Sequence, residues 1–400
     1  MFSFIERPNT QANINKIATI TVFLFILSLP LSNALMNISY IVLLLLYFLG
    51  GNYAEKISQI KSNKATILFL LLFAWTLIAA SYSYAEPQYI QYDLFKYKKL
   101  LLIPILIYFL NGKDLSAYVY TFLAGTALMI LYTLIFDQHG LILSIKAKSL
   151  MYSANPIRNY ITEGVYLTIT LFASLWFIKC KMHRPWMLAL LVLVLIQITF
   201  NNGRMALISV AFTLLILINF SIKKASTKVA LAMIAVALAY LIYAFVPLIH
   251  LRVDKTIAEA SQIVNFANAE SIRLQYWHMS WEKFITRPII GFGPGTFQQL
   301  VNSSDVPGEF KVHVHAHNEY LFMLLQYGIV GLALFLGAIF STLKGFDLAS
   351  TSPARVVAFT GILVLLLNCI TDCHLYNMNE GNVFVLMLAL YLTRDKATNK

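Results

Sequence analysis

Residues 318–343 read NEYLFMLLQYGIVGLALFLGAIFSTL, an apolar run in which Glu319 is the only charged residue. A helix of about 20 residues crosses the hydrocarbon core of a bilayer, so this run is long enough to span one. Lipid offers no hydrogen-bond partners, and each backbone N–H and C=O must therefore be satisfied within the segment, which predicts an α-helix. The stretch indicates a membrane protein built from helices.

The composition of the whole chain agrees with this class. Of 400 residues, 59% are hydrophobic and 12% are charged, and the mean hydropathy is +0.71. A soluble protein carries about twice that charged fraction, which excludes a soluble enzyme, a disordered chain, collagen and a coiled coil. The sequence predicts an all-α polytopic membrane protein with about twelve transmembrane helices. The other apolar segments lie near 17–35, 37–50, 65–82, 99–111, 115–136, 160–178, 186–200, 205–220, 229–249, 355–371 and 382–393.

The net charge of +12 is explained by membrane topology. An even number of spans places both termini on one side, and the loops on that side carry the whole excess of Lys and Arg, whereas the opposite side is balanced. Positive residues accumulate on cytoplasmic loops, so both termini are predicted to be cytoplasmic. The positive net charge is the only feature that suggests a nucleic-acid partner, so no nucleic-acid partner is predicted.

The loops divide the chain into three parts. Residues 1–249 hold the first nine predicted helices, and 318–400 hold the last three and a cytoplasmic tail. Between them, 250–317 form one long outer loop, and a loop of this length is uncommon unless it is functional. It is predicted to be partly helical, with a helix from Ser271 to Thr286 that ends before Arg287-Pro288.

Three histidines precede the tenth predicted span, as His313-Val-His315-Ala-His317-Asn318. Alternating histidines could bind a metal ion, because His is a common ligand. However, no carboxylate or cysteine stands beside them at a ligand spacing, and the segment enters a helix. One of them could instead act as a general base at the membrane surface. A polar cap without function is the third possibility; we favour the base and predict no metal.

Two outer arginines are candidates for phosphate binding. Arg204 closes the turn Asn201-Asn202-Gly203-Arg204, and Arg273 lies in the predicted loop helix, four residues before Trp277. Arg204 could also be a snorkelling anchor, and Arg273 could stack on Trp277 or snorkel. The guanidinium fork binds phosphate bidentately. With a histidine base, two arginines suit a reaction in which a hydroxyl displaces a diphosphate.

Several other outer groups rank behind these. Arg158 is a second-rank phosphate candidate. Asp372 and His374 could order other groups of the site. Three basic residues after the third span are interpreted as surface anchors or contacts to anionic lipid headgroups: Lys96, Lys98 and Lys99. The run Gly291-Phe-Gly293-Pro-Gly295 lacks the spacing of a dinucleotide fingerprint; it predicts a tight turn that lets the backbone approach a ligand or a neighbouring helix.

At these residues the sequence resembles the O-antigen ligase family. The family pattern is His, then Asn, Ser or Gln, nine residues, Gly, two residues, and Gly, Thr or Tyr. This sequence matches it with His317-Asn318, Gly328 and Gly331. The Arg204 turn resembles the family's arginine at the outer start of a span. The Arg273…Trp277 pair and the run from Arg287 to Phe297 resemble its large-loop signature.

The resemblance implies a glycosyltransferase of the bacterial inner membrane, with its active site facing the periplasm. The donor would be an undecaprenyl-diphosphate-linked glycan and the acceptor a sugar hydroxyl of lipid A–core, with membrane lipids around both. His317 would activate the acceptor, and Arg204 and Arg273 would hold the diphosphate, without metal, nucleotide or other cofactor and with inversion. His313, His315 and Asn318 are second-rank, because the upstream histidines leave open which one is the base.

Two alternatives stay open. The shared motifs do not separate an O-antigen ligase from its sister enzymes, the O-antigen polymerases and the protein O-oligosaccharide ligases. A non-catalytic lipid or glycan transporter is the alternative of a different class. A transporter would place polar residues at mid-membrane depth, whereas the predicted spans hold few ionisable groups.

Overall fold

The computed structural model describes residues 8–136, 157–201, 203–245, 271–303 and 314–396, with single positions at 250, 253, 254, 257, 258 and 261. This part of the chain is helical and contains no strand. A 3₁₀ turn, Lys98–Leu101, links two of its helices. In chain order the α-helices are α1 (Pro8–Leu31), α2 (Asn33–Leu49), α3 (Tyr53–Ser62), α4 (Lys64–Ala80), α5 (Pro87–Tyr97), α6 (Leu102–Leu110), α7 (Leu115–Phe136), α8 (Tyr160–Lys179), α9 (Arg184–Phe200), α10 (Arg204–Ser221), α11 (Ala225–Phe245), α12 (Ile272–Ile285), α13 (Thr296–Ser303), α14 (Glu319–Leu343), α15 (Pro353–Asn368) and α16 (Met378–Leu392).

Short polar side chains mark the starts of four helices. Ser32, Asn63, Asn159 and Asn318 each accept a hydrogen bond from the backbone N–H three residues later. Such caps satisfy donors that have no partner inside the helix. These residues therefore fix where α2, α4, α8 and α14 begin.

Five helices of the described chain are long and apolar enough to cross a membrane, or six if the bent pair α2 and α3 is counted as one broken span. Five further apolar stretches are only 10–17 residues long: Lys64–Ala80, Arg184–Phe200, Ala225–Ala237, Pro353–Asn368 and Met378–Leu392. The described part of the chain is thus all-α and consistent with a multi-pass membrane protein, while the total of twelve spans stays a prediction. The five helices are Gln11–Leu31, Leu115–Phe136, Tyr160–Lys179, Arg204–Ser221 and Glu319–Leu343.

Loops that were predicted to share a side of the membrane contact one another. At the end predicted to be cytoplasmic, the backbone of 112–113 exchanges hydrogen bonds with residues 394–396, and the Gln11 side chain donates to the Gly50 carbonyl. At the other end, Arg158 bonds to Asn33, and Ser83 donates to the Pro294 carbonyl. This pairing agrees with an alternating passage of the chain.

The α14 helix is broken at Gly328, and the glycine run of the large loop fills the break. Gly328 has φ 65° and ψ −168°, a conformation that side chains rarely adopt. The interruption releases the Leu325 and Gln326 carbonyls, which accept from the amides of Phe292 and Gly293 at 3.0 and 2.8 Å. The glycine run therefore approaches a neighbouring helix, which is one of the two expectations from its sequence. A side chain at Gly291 or Gly328 would collide with the opposite backbone.

Candidate functional site

His317 and Asp372 form the centre of the candidate site. The Nδ1 atom of His317 lies 3.3 Å from Oδ1 of Asp372, and Nδ1 of His315 lies 3.5 Å from the same oxygen. His317 precedes α14 and Asp372 follows α15, and the Glu319 amide donates to the Cys369 carbonyl at 2.9 Å, which joins the start of α14 to the end of α15. The side chains of His315, His317 and Asp372 are almost completely enclosed. His313 lies outside the described residues.

The backbone at His317 is in the left-handed region, with φ 52°. For a residue with a side chain this conformation costs on the order of 1–3 kcal/mol, and such strain gathers at functional sites. It is held by Trp277, whose indole Nε1–H donates to the His317 carbonyl at 3.2 Å. Trp277 thus ties the loop helix α12 to the histidine segment.

The Asp372 carboxylate is ionised in this setting. Its burial alone would favour the neutral form, but the adjacent His315 and His317 outweigh that effect and hold the pKa of Asp372 well below its usual range. A buried carboxylate between two imidazoles can accept a hydrogen bond from an N–H group of either ring. It can therefore select the tautomer and orientation of His317.

The segment after Asp372 is fixed by two buried charged side chains. Glu319 accepts from the Leu375 and Tyr376 amides at 2.9 and 3.1 Å. Lys99 donates to the carbonyls of both of those residues and of Asn377. The interpretation of Lys99 as a surface anchor is therefore wrong, because its ammonium group is enclosed by the loop that carries Asp372.

Asp93 joins four elements of the site and was missed in the sequence. Its carboxylate accepts from the Tyr376 hydroxyl at 2.7 Å, the Gly295 amide at 2.6 Å and the Gln326 side chain at 2.8 Å. Burial raises the pKa of Asp93 to about 6, although these hydrogen bonds act in the opposite direction. The side chain therefore links α5 with the glycine run, with α14 and with the loop after Asp372. Nothing in its local sequence marks it.

One cavity brings the two predicted arginines together. Arg204 and Arg273, which are far apart in sequence, both line it, and so do Asp372 and His374. Its wall also includes Gly203, so the first turn of α10 faces the cavity. The N-terminus of a helix attracts anions through its unpaired N–H groups and its dipole. This arrangement offers an anionic ligand two guanidinium groups and one helix end.

The Arg204 turn is organised by a buried carboxylate, Glu163 of α8. Its two oxygens accept from the side chains of Gln197 at 2.7 Å and Asn201 at 2.8 Å. Asn201 in turn accepts from the Gly203 amide at 2.8 Å. The network sets the direction in which α10 starts, and with it the position of Arg204.

Arg158 has a different environment from the other two arginines. Its guanidinium donates to the Leu29 carbonyl at 2.7 Å and to the Asn33 side chain at 2.9 Å, where α1 ends and α2 begins. The side chain is buried and is not among the residues that line the arginine cavity. It acts as a cap for helix carbonyls, and we leave it out of the phosphate site.

The ligand atoms of His315, His317 and Asp372 lie within 4.8 Å of one another, close enough to hold a metal ion. The sequence offers these histidines no carboxylate at a ligand spacing; the fold supplies Asp372, which follows α15. Two histidines and one carboxylate are a known set for divalent transition metals. Geometry alone therefore permits either a metal site or a histidine oriented by a carboxylate.

Comparison with known proteins bears on the same part of the chain. Residues 188–336 match the family model described as "O-Antigen ligase". The chain is 31% identical over 119 residues to proteins named "Putative polysaccharide ligase" from Rickettsia typhi and Rickettsia prowazekii, and 29% identical to one from Rickettsia felis. Each of these matches covers 28% of this chain and 27% of the relative's length. The segment 188–336 that matches the family model includes Arg204, Arg273 and His317, and over this segment the resemblance predicted from the motifs is confirmed.

Proposed function

We propose that the protein is an O-antigen ligase, which transfers a glycan from undecaprenyl diphosphate to a sugar hydroxyl of lipid A–core at the periplasmic face of the inner membrane. The observation that supports this most is the shared cavity. Arg204 and Arg273 line it together with Asp372, which lies 3.3 Å from His317. A cationic site for a leaving diphosphate thus adjoins a candidate base.

His317 is proposed as the general base. When Asp372 accepts from Nδ1–H of His317, the lone pair is on Nε2, as a base requires. Nε2 takes the proton from the acceptor hydroxyl while the oxygen of that hydroxyl attacks the anomeric carbon of the donor. The bond from that carbon to the diphosphate oxygen breaks, and undecaprenyl diphosphate leaves. A single displacement of this kind inverts the anomeric centre.

Arg204 and Arg273 are proposed to bind the diphosphate. Negative charge grows on the leaving oxygen as the glycosidic bond breaks, and fixed donors stabilise that charge better than mobile water does. The first turn of α10 adds backbone N–H groups on the same wall. This reaction needs no metal or nucleotide.

Four other assignments are weighed against this one. A polymerase or a protein O-oligosaccharide ligase would use the same donor chemistry with another acceptor. A transporter would need no base, so the buried pair of His317 and Asp372 argues against it. A metal-assisted transferase is the second candidate, and the grouping of His315, His317 and Asp372 favours it.

The test is reconstitution of the full chain with defined lipids. Purified protein is mixed with a glycan-linked undecaprenyl diphosphate and with lipid A–core, and the product is followed by mass. We expect transfer by the wild type and a loss of about 10²–10⁴-fold for His317→Ala, the usual contribution of a general base. His278→Ala is the control, since His278 lies on α12 and pairs with Glu282. Movement of the glycan lipid without transfer would overturn the proposal.

A further inference from the structure

His374 is a buried histidine that the proposed mechanism does not use. Its side chain is 1% exposed, and neither ring nitrogen has a hydrogen-bond partner among the described residues. Leaving a buried polar group unpaired costs about 1–3 kcal/mol, and such a group calls for an explanation. His374 also lines the cavity that contains Arg204 and Arg273.

The surroundings of His374 indicate what it would bind. Arg204, Arg273 and the first turn of α10 give this cavity donors for an anion, whereas His317 is not among its lining residues. His317 and His374 therefore differ in position: His317 contacts the Asp372 carboxylate, whereas His374 lines the cavity together with the two arginines. An imidazole N–H is a donor that a phosphate oxygen accepts.

We propose that His374 is a third ligand of the donor's diphosphate and donates a hydrogen bond to one of its oxygens. This inference rests on the proposed function, because the diphosphate belongs to the donor lipid. The role is binding of the donor and of the departing undecaprenyl diphosphate, without proton transfer. The acceptor sugar is bound elsewhere and does not contact His374.

The experiment compares three variants of the full-length protein in detergent with lipid substrates. His374→Phe keeps a planar ring and removes both nitrogens, His374→Leu is a second apolar replacement in case the first does not fold, and His374→Gln retains an N–H donor. His278→Phe, on the loop helix, is the matched control. The readouts are KM for the donor, KM for the acceptor, and inhibition by glycan-free undecaprenyl diphosphate.

We expect His374→Phe and His374→Leu to raise the donor KM and the inhibition constant of undecaprenyl diphosphate about tenfold, the effect of one hydrogen bond to a charged group. The acceptor KM should stay unchanged, and His374→Gln should recover most of the affinity. An unaltered inhibition constant, or a rise confined to the acceptor KM, would overturn the role of His374. Absence of transfer by the wild type would instead contradict the proposed function.

Discussion

The Nδ1 atom of His317 lies 3.3 Å from Oδ1 of Asp372, although His317 comes just before α14 and Asp372 just after α15 in the chain. The carboxylate is buried, and its neighbouring histidines hold its pKa well below the usual range, so that it remains an anion at neutral pH. A fixed anion beside one ring nitrogen orients the imidazole and stabilises it once it has gained a proton.

Replacement of Asp372 by Asn should lower turnover about 10²–10⁴-fold with little effect on the donor KM. An amide can donate to Nδ1 and so favour the wrong tautomer of His317, while the shape of the site is kept. Initial rates at saturating substrates measure this. The control is Asp114→Asn, at the end of the protein predicted to be cytoplasmic. Normal turnover of Asp372→Asn would remove the carboxylate from the mechanism.

Arg204→Ala and Arg273→Ala should each abolish transfer, and the corresponding Lys variants should lose about 10²–10³-fold. Lysine keeps the charge but loses the planar fork that binds a diphosphate bidentately. Arg184→Lys, at the start of α9 and away from the cavity, is the matched control. Product formation by each variant should be normalised to the amount inserted in the membrane. Full activity in either Lys variant would show that charge alone suffices.

Treatment with EDTA should leave transfer intact, because a base oriented by Asp372 requires no ion. The assay compares untreated protein with protein dialysed against chelator, each with and without added Zn²⁺ or Mn²⁺. Strong inhibition that is reversed by one of these ions would favour the metal site formed by His315, His317 and Asp372. Binding of the ion should then be lost in His315→Ala.

The stability of the fold should depend on pH through Asp93. Its pKa is about 6 in the folded protein against an ordinary value of 3.8, so the folded state keeps the proton to higher pH. The contribution of Asp93 to stability is therefore greatest below about pH 4, falls between about pH 4 and 6, and is lower by ~3 kcal/mol above that range. Asp93→Asn does not titrate and should lack this slope. The N–H group that this substitution introduces can donate a hydrogen bond to Oε1 of Gln326, an atom without a hydrogen-bond partner among the described residues.

Thermal or denaturant unfolding of both proteins in detergent, at pH 4 and at pH 7, measures the effect. The informative quantity is the difference between wild type and Asp93→Asn at each pH, because it cancels the titration of all other groups. Parallel pH profiles would contradict the assignment to Asp93.

Much of the architecture follows from local sequence. Apolar runs such as 115–136 and 318–343 determine helices because an unpaired backbone is costly in lipid, and caps such as Asn159 and Asn318 set where helices begin. The loop helix over 271–286 was also predictable. The spacing from His317 to Gly328 and Gly331 identified the family, since it lies within one continuous segment.

The tertiary structure decided which polar side chains meet. The sequence analysis places Lys99 and Arg158 among the outer polar groups, and nothing in the local sequence marks Asp93. Packing nevertheless buries all three side chains against partners distant in the chain. Asp372 completes the histidine cluster because the tertiary structure brings the end of α15 to the start of α14, where the Glu319 amide donates to the Cys369 carbonyl. Periodicity and capping act over a few residues and can be read from the chain, whereas burial, pKa and the convergence of Arg204 with Arg273 depend on contacts between helices, which no local pattern encodes.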